Sequence, residues 1–442
     1  MKTISISSVL SVGSAITATS AFQARLASHR KFTFCTKLDS YLATTIDISE
    51  SAPRDVTPLY DWAANYGVQT SPGFELTTED GLDVYAITNQ NIQADSPIVL
   101  VPNELILTGS KARMEFGTDA TRAERDLNLS DHMPFYLFLK VLKEYELGAE
   151  SPWYPWLNSL PRYYSNGASM TDFCFGCLPP YAAKQSMEVK TRLKRFELAL
   201  DEISFLNDET KSNSDLTKWA YNVVVTRYQE KEGGDYCLVP MVDFFNHGGT
   251  EVDVYVTFDT DGNCYAYSTR DVSPGQPLRI CLGDPTNPSQ ILARYGFLDE
   301  SSSATYCKWI AEEASSEIFN MGYPSQMLFY QDGGISNEVW DVLLYTELGK
   351  ISPEEQQSFY QAHLMGDEAT KSNYHNQYFP QTLAAIQQHV NYVLNELEEL
   401  GVWQRTKMDT ALHPRLPLIM KHNEFVKNTF QLVQQNLNNM MS

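Results

Sequence analysis

Apolar residues recur three and four apart between Asp131 and Leu147, with Phe135, Phe138, Leu139 and Leu142 on one face and Gly148 as the stop. That spacing predicts a helix. Further helix is expected over Lys184–Leu206 and Asp215–Arg227. On either side the period changes. From Leu59 to Pro102, short apolar runs punctuated by Gly and Pro read as short strands in a small β layer. Past the helices, Val252, Val254, Val256 and Phe258 alternate with polar positions, turn through Asp261-Gly262 and resume at Tyr265 and Tyr267, the pattern of a hairpin. Leu278, Ile280 and Leu282 form another alternating strand, and Asn287-Pro288-Ser289 caps a short helix that stops at Gly296. From about Ser301 the pattern is helical: Ile386, Val390, Val393, Leu394 and Leu397 share a face, as do Val426, Phe430, Val433 and Leu437. No repeat of fixed period is evident. The expected class is α+β, with small sheets around a helical insert at about 110–225 and a second, all-helical unit over 301–442.

The chain length of 442 residues agrees with two such units. No apolar run of roughly 18 residues predicts a membrane span. A net charge of -22 repels phosphate backbones, which argues against nucleic-acid binding and suits a partner that presents lysines. Seven cysteines, an odd number widely scattered, do not make a disulfide framework. Cys174-Phe175-Gly176-Cys177 lacks a second ligand pair at zinc spacing and reads as ordinary buried or loop cysteines rather than a metal or redox centre.

The first residues read as an address. Residues 1–21 carry one lysine, no acid and a weakly apolar stretch ending in small residues, as a signal peptide does. Residues 22–54 open with Phe22, then Arg25, Arg30, Lys31 and Lys37 among hydroxyl residues, and read as a transit-peptide-like region and linker. Signal plus transit import into a plastid is the expectation. The secretory pathway and a plain disordered tail are the alternatives.

The densest polar signal is Asp243, Asn246 and His247 embedded in the apolar run Val239–His247. Such groups, once buried, need partners or leave a penalty of roughly 1–3 kcal/mol each, so the run is either a structural polar knot or a ligand site. A metal reading of Asp243 with His247 has no third ligand at a suitable spacing. About 40 residues on, Gly283-Asp284-Pro285-Thr286-Asn287 precedes Tyr295-Gly296-Phe297.

Taken in order, Asp243-x-x-Asn246-His247, a strand ending at Gly283, then Asn287 and Tyr295-Gly296-Phe297 resemble the C-terminal half of a SET domain. Asp80-Gly81-Leu82 with Val99-Leu100-Val101-Pro102 resembles that family's first strands. Thr226-Arg227 resembles its Ser-Arg element, and Ser151-Pro152-Trp153-Tyr154-Pro155-Trp156-Leu157 its insert. The matches span most of 56–300, a SET domain over 55–300. The helical remainder resembles, in length and helicity, the substrate-binding domain of Rubisco large-subunit lysine methyltransferases. The resemblance implies a protein-lysine methyltransferase that uses S-adenosylmethionine and no metal, acting on a protein lysine or, second, a histidine. It also implies roles by position. Asp80, Gly81 and Leu82 line the cofactor's methionine end, Arg227 pairs with its carboxylate, and Asn246 and His247 hold the adenosine part. Asp243, Tyr295 and Phe297 sit where the cofactor pocket meets the channel for the target side chain.

Two positions depart from the family pattern. Leu282 stands where the family carries its catalytic tyrosine, and leucine neither donates nor accepts a hydrogen bond. Asp83 stands where a second glycine is usual. The implied enzyme then draws a hydroxyl from Tyr295, or the chain is a catalytically silent SET-fold module that docks a protein.

Overall fold

The computed structural model describes residues 45–126, 132–231, 233–307, 315–323, 325–406 and 409–440. The expected signal peptide over 1–21, and the expected transit-peptide-like region over 22–54 as far as residue 44, lie outside the described residues. The α+β expectation holds: short strands in five small sheets frame a set of helices, and a helical half follows. The largest sheet runs in the order Gln69–Thr70, Pro97–Val101, Cys264–Ser268, Val254–Phe258, with antiparallel neighbours. The expected hairpin forms its edge, with Tyr265 opposite Thr257.

Three elements differ from expectation. Leu59–Asn65 is a helix rather than a strand, because Leu59, Trp62 and Ala63, spaced for one helical face, turn into the core together. The strand at Leu278–Leu282 shrinks to Arg279–Ile280, since its parallel partner Asn246–His247 is only 2 residues long. The helical half also contains a hairpin, Ala304–Tyr306 against Leu328–Tyr330. The stretch 45–54 departs as well. Read in sequence as the end of a linker, it is built into the body: Ile46 is buried in the first core, and the Arg162 guanidinium donates to the Asp47 carbonyl at 2.7 Å. Burial of Ile46 and the carbonyl-saturated Arg162 fix it there.

The insert centres on His132–Leu147. Tyr136, Leu137 and Val141 are as fully buried as the expected face, so this helix is surrounded rather than laid on a surface. It packs on Gly109–Asp126 and on Ser214–Arg227. One apolar core spans residues 46–282 and another spans 307–437. A small third cluster, holding Cys174, Cys177, Leu292, Leu416 and Ile419, joins them. Both cysteines are buried there, and burial pushes the Cys177 thiol up to about 11. In the helical half, the stripe Ile386, Val390, Val393 and Leu397 of Phe379–Thr406 meets Val426, Phe430, Val433 and Leu437 of Leu416–Asn439. No helix among the described residues is long and apolar enough to cross a membrane.

Candidate active site

The parallel pairing of Asn246–His247 with Arg279–Ile280 brings the two halves of the sequence signal side by side. Around it lies a cavity of ≈ 510 Å³ lined by Asp80, Leu82, Arg227, Asp243, Asn246, His247, Leu282, Tyr295 and Phe297. Of the residues proposed from sequence, only Gly81 is outside this lining. It sits at φ +76° in the exposed turn 80–83, where Asp80 Oδ1 accepts from the Leu82 and Asp83 amides at 2.8 and 3.0 Å. Those amides hold the Asp80 carboxyl below its ordinary range.

Asp243 is aimed by backbone strain. Met241, fully buried, takes φ 71°, a region bulky residues avoid, and a single 3-10 turn over Val242–Phe244 follows it. The Asp243 side chain is 1 % exposed, and Trp156 of the insert donates to its Oδ2 at 3.0 Å. Arg227, the last residue of its helix, donates to the Asp243 carbonyl at 2.5 Å and lies 3.3 Å from Oδ2. Burial nonetheless raises the Asp243 pKa, with Arg227 opposing it only in part.

The His247 side chain is held at both ring nitrogens. Its Nδ1 accepts the Leu282 amide at 3.1 Å, and its Nε2 faces Asp299 Oδ2 at 3.2 Å. An acceptor at Nδ1 requires the proton on Nε2, where the carboxylate takes it. Burial lowers the ring's pKa against the pull of Asp299. The Tyr295 hydroxyl donates to the Leu282 carbonyl, and burial pushes its pKa up to about 12. Position 282 is therefore clamped at both backbone groups while its side chain offers the cavity only methyl groups. Asp83 is met as well, since the Asn246 amide donates to its Oδ2 at 3.2 Å. Phe297 stands beside His247 and Tyr295, with ring centroids 5.6 and 6.2 Å away.

Several residues of this site were not singled out in the sequence, Arg54 and Tyr164 among them. Arg54, from the stretch taken for linker, donates to the carbonyls of Ser159 and Leu82 at 2.7 and 2.8 Å. Burial, then the neighbouring Arg227, lowers its pKa to about 10. Both guanidiniums lie 5.8 Å from the Phe244 ring centroid. Tyr164, three residues past Pro161, is buried in the wall. Nothing local marks Arg54. For Tyr164 the one signal was an aromatic pair, Tyr163-Tyr164, directly after the insert motif.

Four buried polar atoms on this cavity have no hydrogen-bond partner: Arg54 Nη2, Arg227 Nε, Asp243 Oδ1 and the Tyr164 hydroxyl. Left empty, each costs about 1–3 kcal/mol, so their convergence favours the ligand-site alternative over the self-satisfied knot. Asp243 and His247 turn to different partners, and no group of three potential metal-ligating side chains occurs among the described residues.

No family model and no curated protein sequence matches the chain. Solved structures do. The SET domain of LSMT bound to lysine and AdoHcy superposes with a TM-score of 0.61 at 14% identity, covering 87% of this chain and 91% of the other. Rubisco LSMT bound to AdoMet matches at TM-score 0.61 and 14% identity, over 87% and 92% of the two chains. Rubisco LSMT bound to sinefungin and monomethyllysine matches at 0.60, with 14% identity and the same coverage, 87% and 92%. The fold is that of the SET-domain LSMT structures, with the helical C-terminal half included.

Proposed function

We propose that this chain binds S-adenosylmethionine in the cavity and transfers its methyl group to a side-chain nitrogen of a protein, a lysine first and a histidine second. The observation that carries the reading is the set of four unpartnered buried polar atoms on one cavity of a fold whose solved examples hold AdoMet, AdoHcy or sinefungin. The donor set suits that ligand. Two guanidiniums with free N–H groups match a carboxylate, the acidic turn at Asp80 and Asp83 matches an amino group and a cationic sulfur, and Phe297 offers a face to a purine.

The cofactor, when bound, supplies a methyl group on a positively charged sulfur. Arg227 and Arg54 hold its carboxylate, Asp80, Gly81 and Leu82 flank the methionine end, and Asn246 with Phe297 flanks the adenosine. His247 and Tyr295 act through the Leu282 backbone: the Nδ1 acceptor and the phenol donor fix a strand end against the reacting centre, and we assign Tyr295 to positioning. The buried walls exclude water, and the two cations disfavour an ammonium, so the acceptor nitrogen enters neutral. The strongly negative surface suits a partner that presents lysines. The N-terminal composition supports delivery to a plastid, with any removable segment ending before the built-in stretch that starts at residue 45.

Calorimetric titration of the full chain with AdoMet and AdoHcy tests this. Saturable binding is expected for both, weakened at least tenfold by Arg227→Ala, about 1.4 kcal/mol or more. A folded sample that binds neither ends the methyl-transfer reading. One observation favours a second reading, a silent docking module: Leu282 has no hydroxyl and that of Tyr295 is already engaged by a carbonyl. AdoHcy binding without methylation of any plastid protein would favour it.

A further inference from the structure

We propose that Tyr164 presents the hydroxyl that holds the acceptor nitrogen, in place of the phenol absent at position 282. The inference deepens the methyl-transfer reading and rests on it.

The segment carrying Tyr164 is pinned on both flanks. Tyr163 donates its hydroxyl to the Pro414 carbonyl at 3.0 Å, and the buried Arg415 donates from Nε to the Tyr164 carbonyl at 2.9 Å. Asn166 donates to the Arg294 carbonyl at 3.0 Å. Gly296, at φ +81°, packs so close that a Cβ there would fall 2.6 Å from the Asn166 nitrogen. These contacts fix the backbone of 163–166 against the helix end that carries Tyr295. Yet the Tyr164 hydroxyl itself makes no hydrogen bond of normal geometry, although the residue is 7 % exposed.

Its surroundings fit an acceptor site. Tyr164 lines the main cavity and also a neighbouring one of ≈ 450 Å³, so it stands in the wall between them. The second cavity carries another unpartnered buried atom, Asn222 Oδ1. Of the other hydroxyl residues lining the main cavity, Tyr163 and Tyr295 donate to carbonyls, Thr226 donates to the Asn222 carbonyl at 2.8 Å, and Ser165 and Tyr228 are only half-buried. Arg54 and Arg227 line the same cavity, and burial raises the Tyr164 pKa against their pull, which keeps it a neutral phenol.

The step balances without another reactant. A neutral amine donates one N–H to the Tyr164 oxygen, which turns the nitrogen lone pair toward the methyl group. The N–C bond forms as the S–C bond breaks, and the S–C electron pair stays on sulfur. The product methylammonium then releases its extra proton to solvent.

Tyr164→Phe removes the hydroxyl and keeps the ring. Calorimetry with AdoHcy, then with free L-lysine added to the AdoHcy complex between pH 7 and 10, separates the two sites. The variant should bind AdoHcy within twofold of the parent, melt no lower than it, and bind L-lysine at least tenfold more weakly. Equal L-lysine affinity in parent and variant overturns the assignment, and so does a parent AdoHcy complex that takes no L-lysine. A loss of L-lysine on Tyr295→Phe but not on Tyr164→Phe would return the role to Tyr295. A parent that fails to bind AdoHcy instead removes the methyl-transfer reading, and this assignment with it.

Discussion

Two buried aspartates, one in each half of the molecule, meet opposite fates. Asp341 in the helical half has both oxygens engaged: Lys371 donates to Oδ2 at 2.6 Å, His375 faces Oδ1 at 2.7 Å, and His363 lies 3.4 Å away. Burial works against its charge, but hydrogen bonds from His363, His375 and Lys371 overcome that and hold it far below the ordinary carboxylate range. Asp243 in the other half keeps one bare oxygen, and burial wins. A network that engages both carboxylate oxygens ties helices together. An incomplete one, walled by two arginines and a phenol, is arranged for something that arrives from outside.

The comparison breaks most readily at Asp341. Asp341→Ala leaves the half-buried Lys371 ammonium with Glu368 at 4.0 Å as its remaining partner, and the expected cost is about 3 kcal/mol, read as a drop in the urea midpoint with AdoHcy affinity within twofold. A loss under 1 kcal/mol would show the cluster to be a surface feature. Next comes acid. Burial lowers the His389 imidazole in the helical core from its ordinary value to about 4. The unfolded chain therefore takes up the proton first as pH falls. Stability from the neutral ring is complete above about pH 6.5 and is lost on descent to about pH 4, by about 3 kcal/mol. His389→Leu should flatten the stability profile in that window, and an unaltered slope would assign acid sensitivity to other groups. The smallest effect belongs to Asp243→Asn. Because its folded pKa is raised, the charged form loses stability as pH climbs past the unfolded carboxyl value. Removing the charge should shift stability at pH 7 by less than about 1 kcal/mol, in either direction. A large loss in melting temperature would mean that Asp243 is a structural anchor like Asp341.

Much of the fold was legible because it is written in local period. The helices His132–Leu147 and Pro288–Tyr295 and the hairpin at Val254–Ser268 fall within a few residues of where spacing and turn chemistry put them. Leu59–Asn65 was masked by the Gly and Pro residues that follow it, although Leu59, Trp62 and Ala63 carried a helical spacing. The pairing of Ala304–Tyr306 with Leu328–Tyr330 escaped because its strands are 3 residues each and far apart in sequence. For the site, the ordered signature named Asp80, Leu82, Arg227, Asp243, Asn246, His247, Tyr295 and Phe297, which share the cavity with Glu50, Arg54, Arg162 and Tyr164 that it did not name, and it did not tell what each side chain does. The double clamp on Leu282, the Asp83–Asn246 contact and the arrival of Arg54 are long-range events with no local trace.

The wall of the cavity is stitched from distant parts of the chain. Glu50 accepts from Arg415 across a sequence separation of 365 residues, and Arg415 also stacks 4.3 Å from the Tyr163 ring centroid. During synthesis, from the N-terminus onward, every residue that lines the pocket, up to Phe297, is made before Arg415, which braces two of them, leaves the ribosome. The pocket is thus fully braced only when almost the whole polypeptide exists, and a nascent or C-terminally shortened chain lacks that brace on Glu50 and Tyr163. Binding capacity then reports on completion of the molecule as well as on its chemistry.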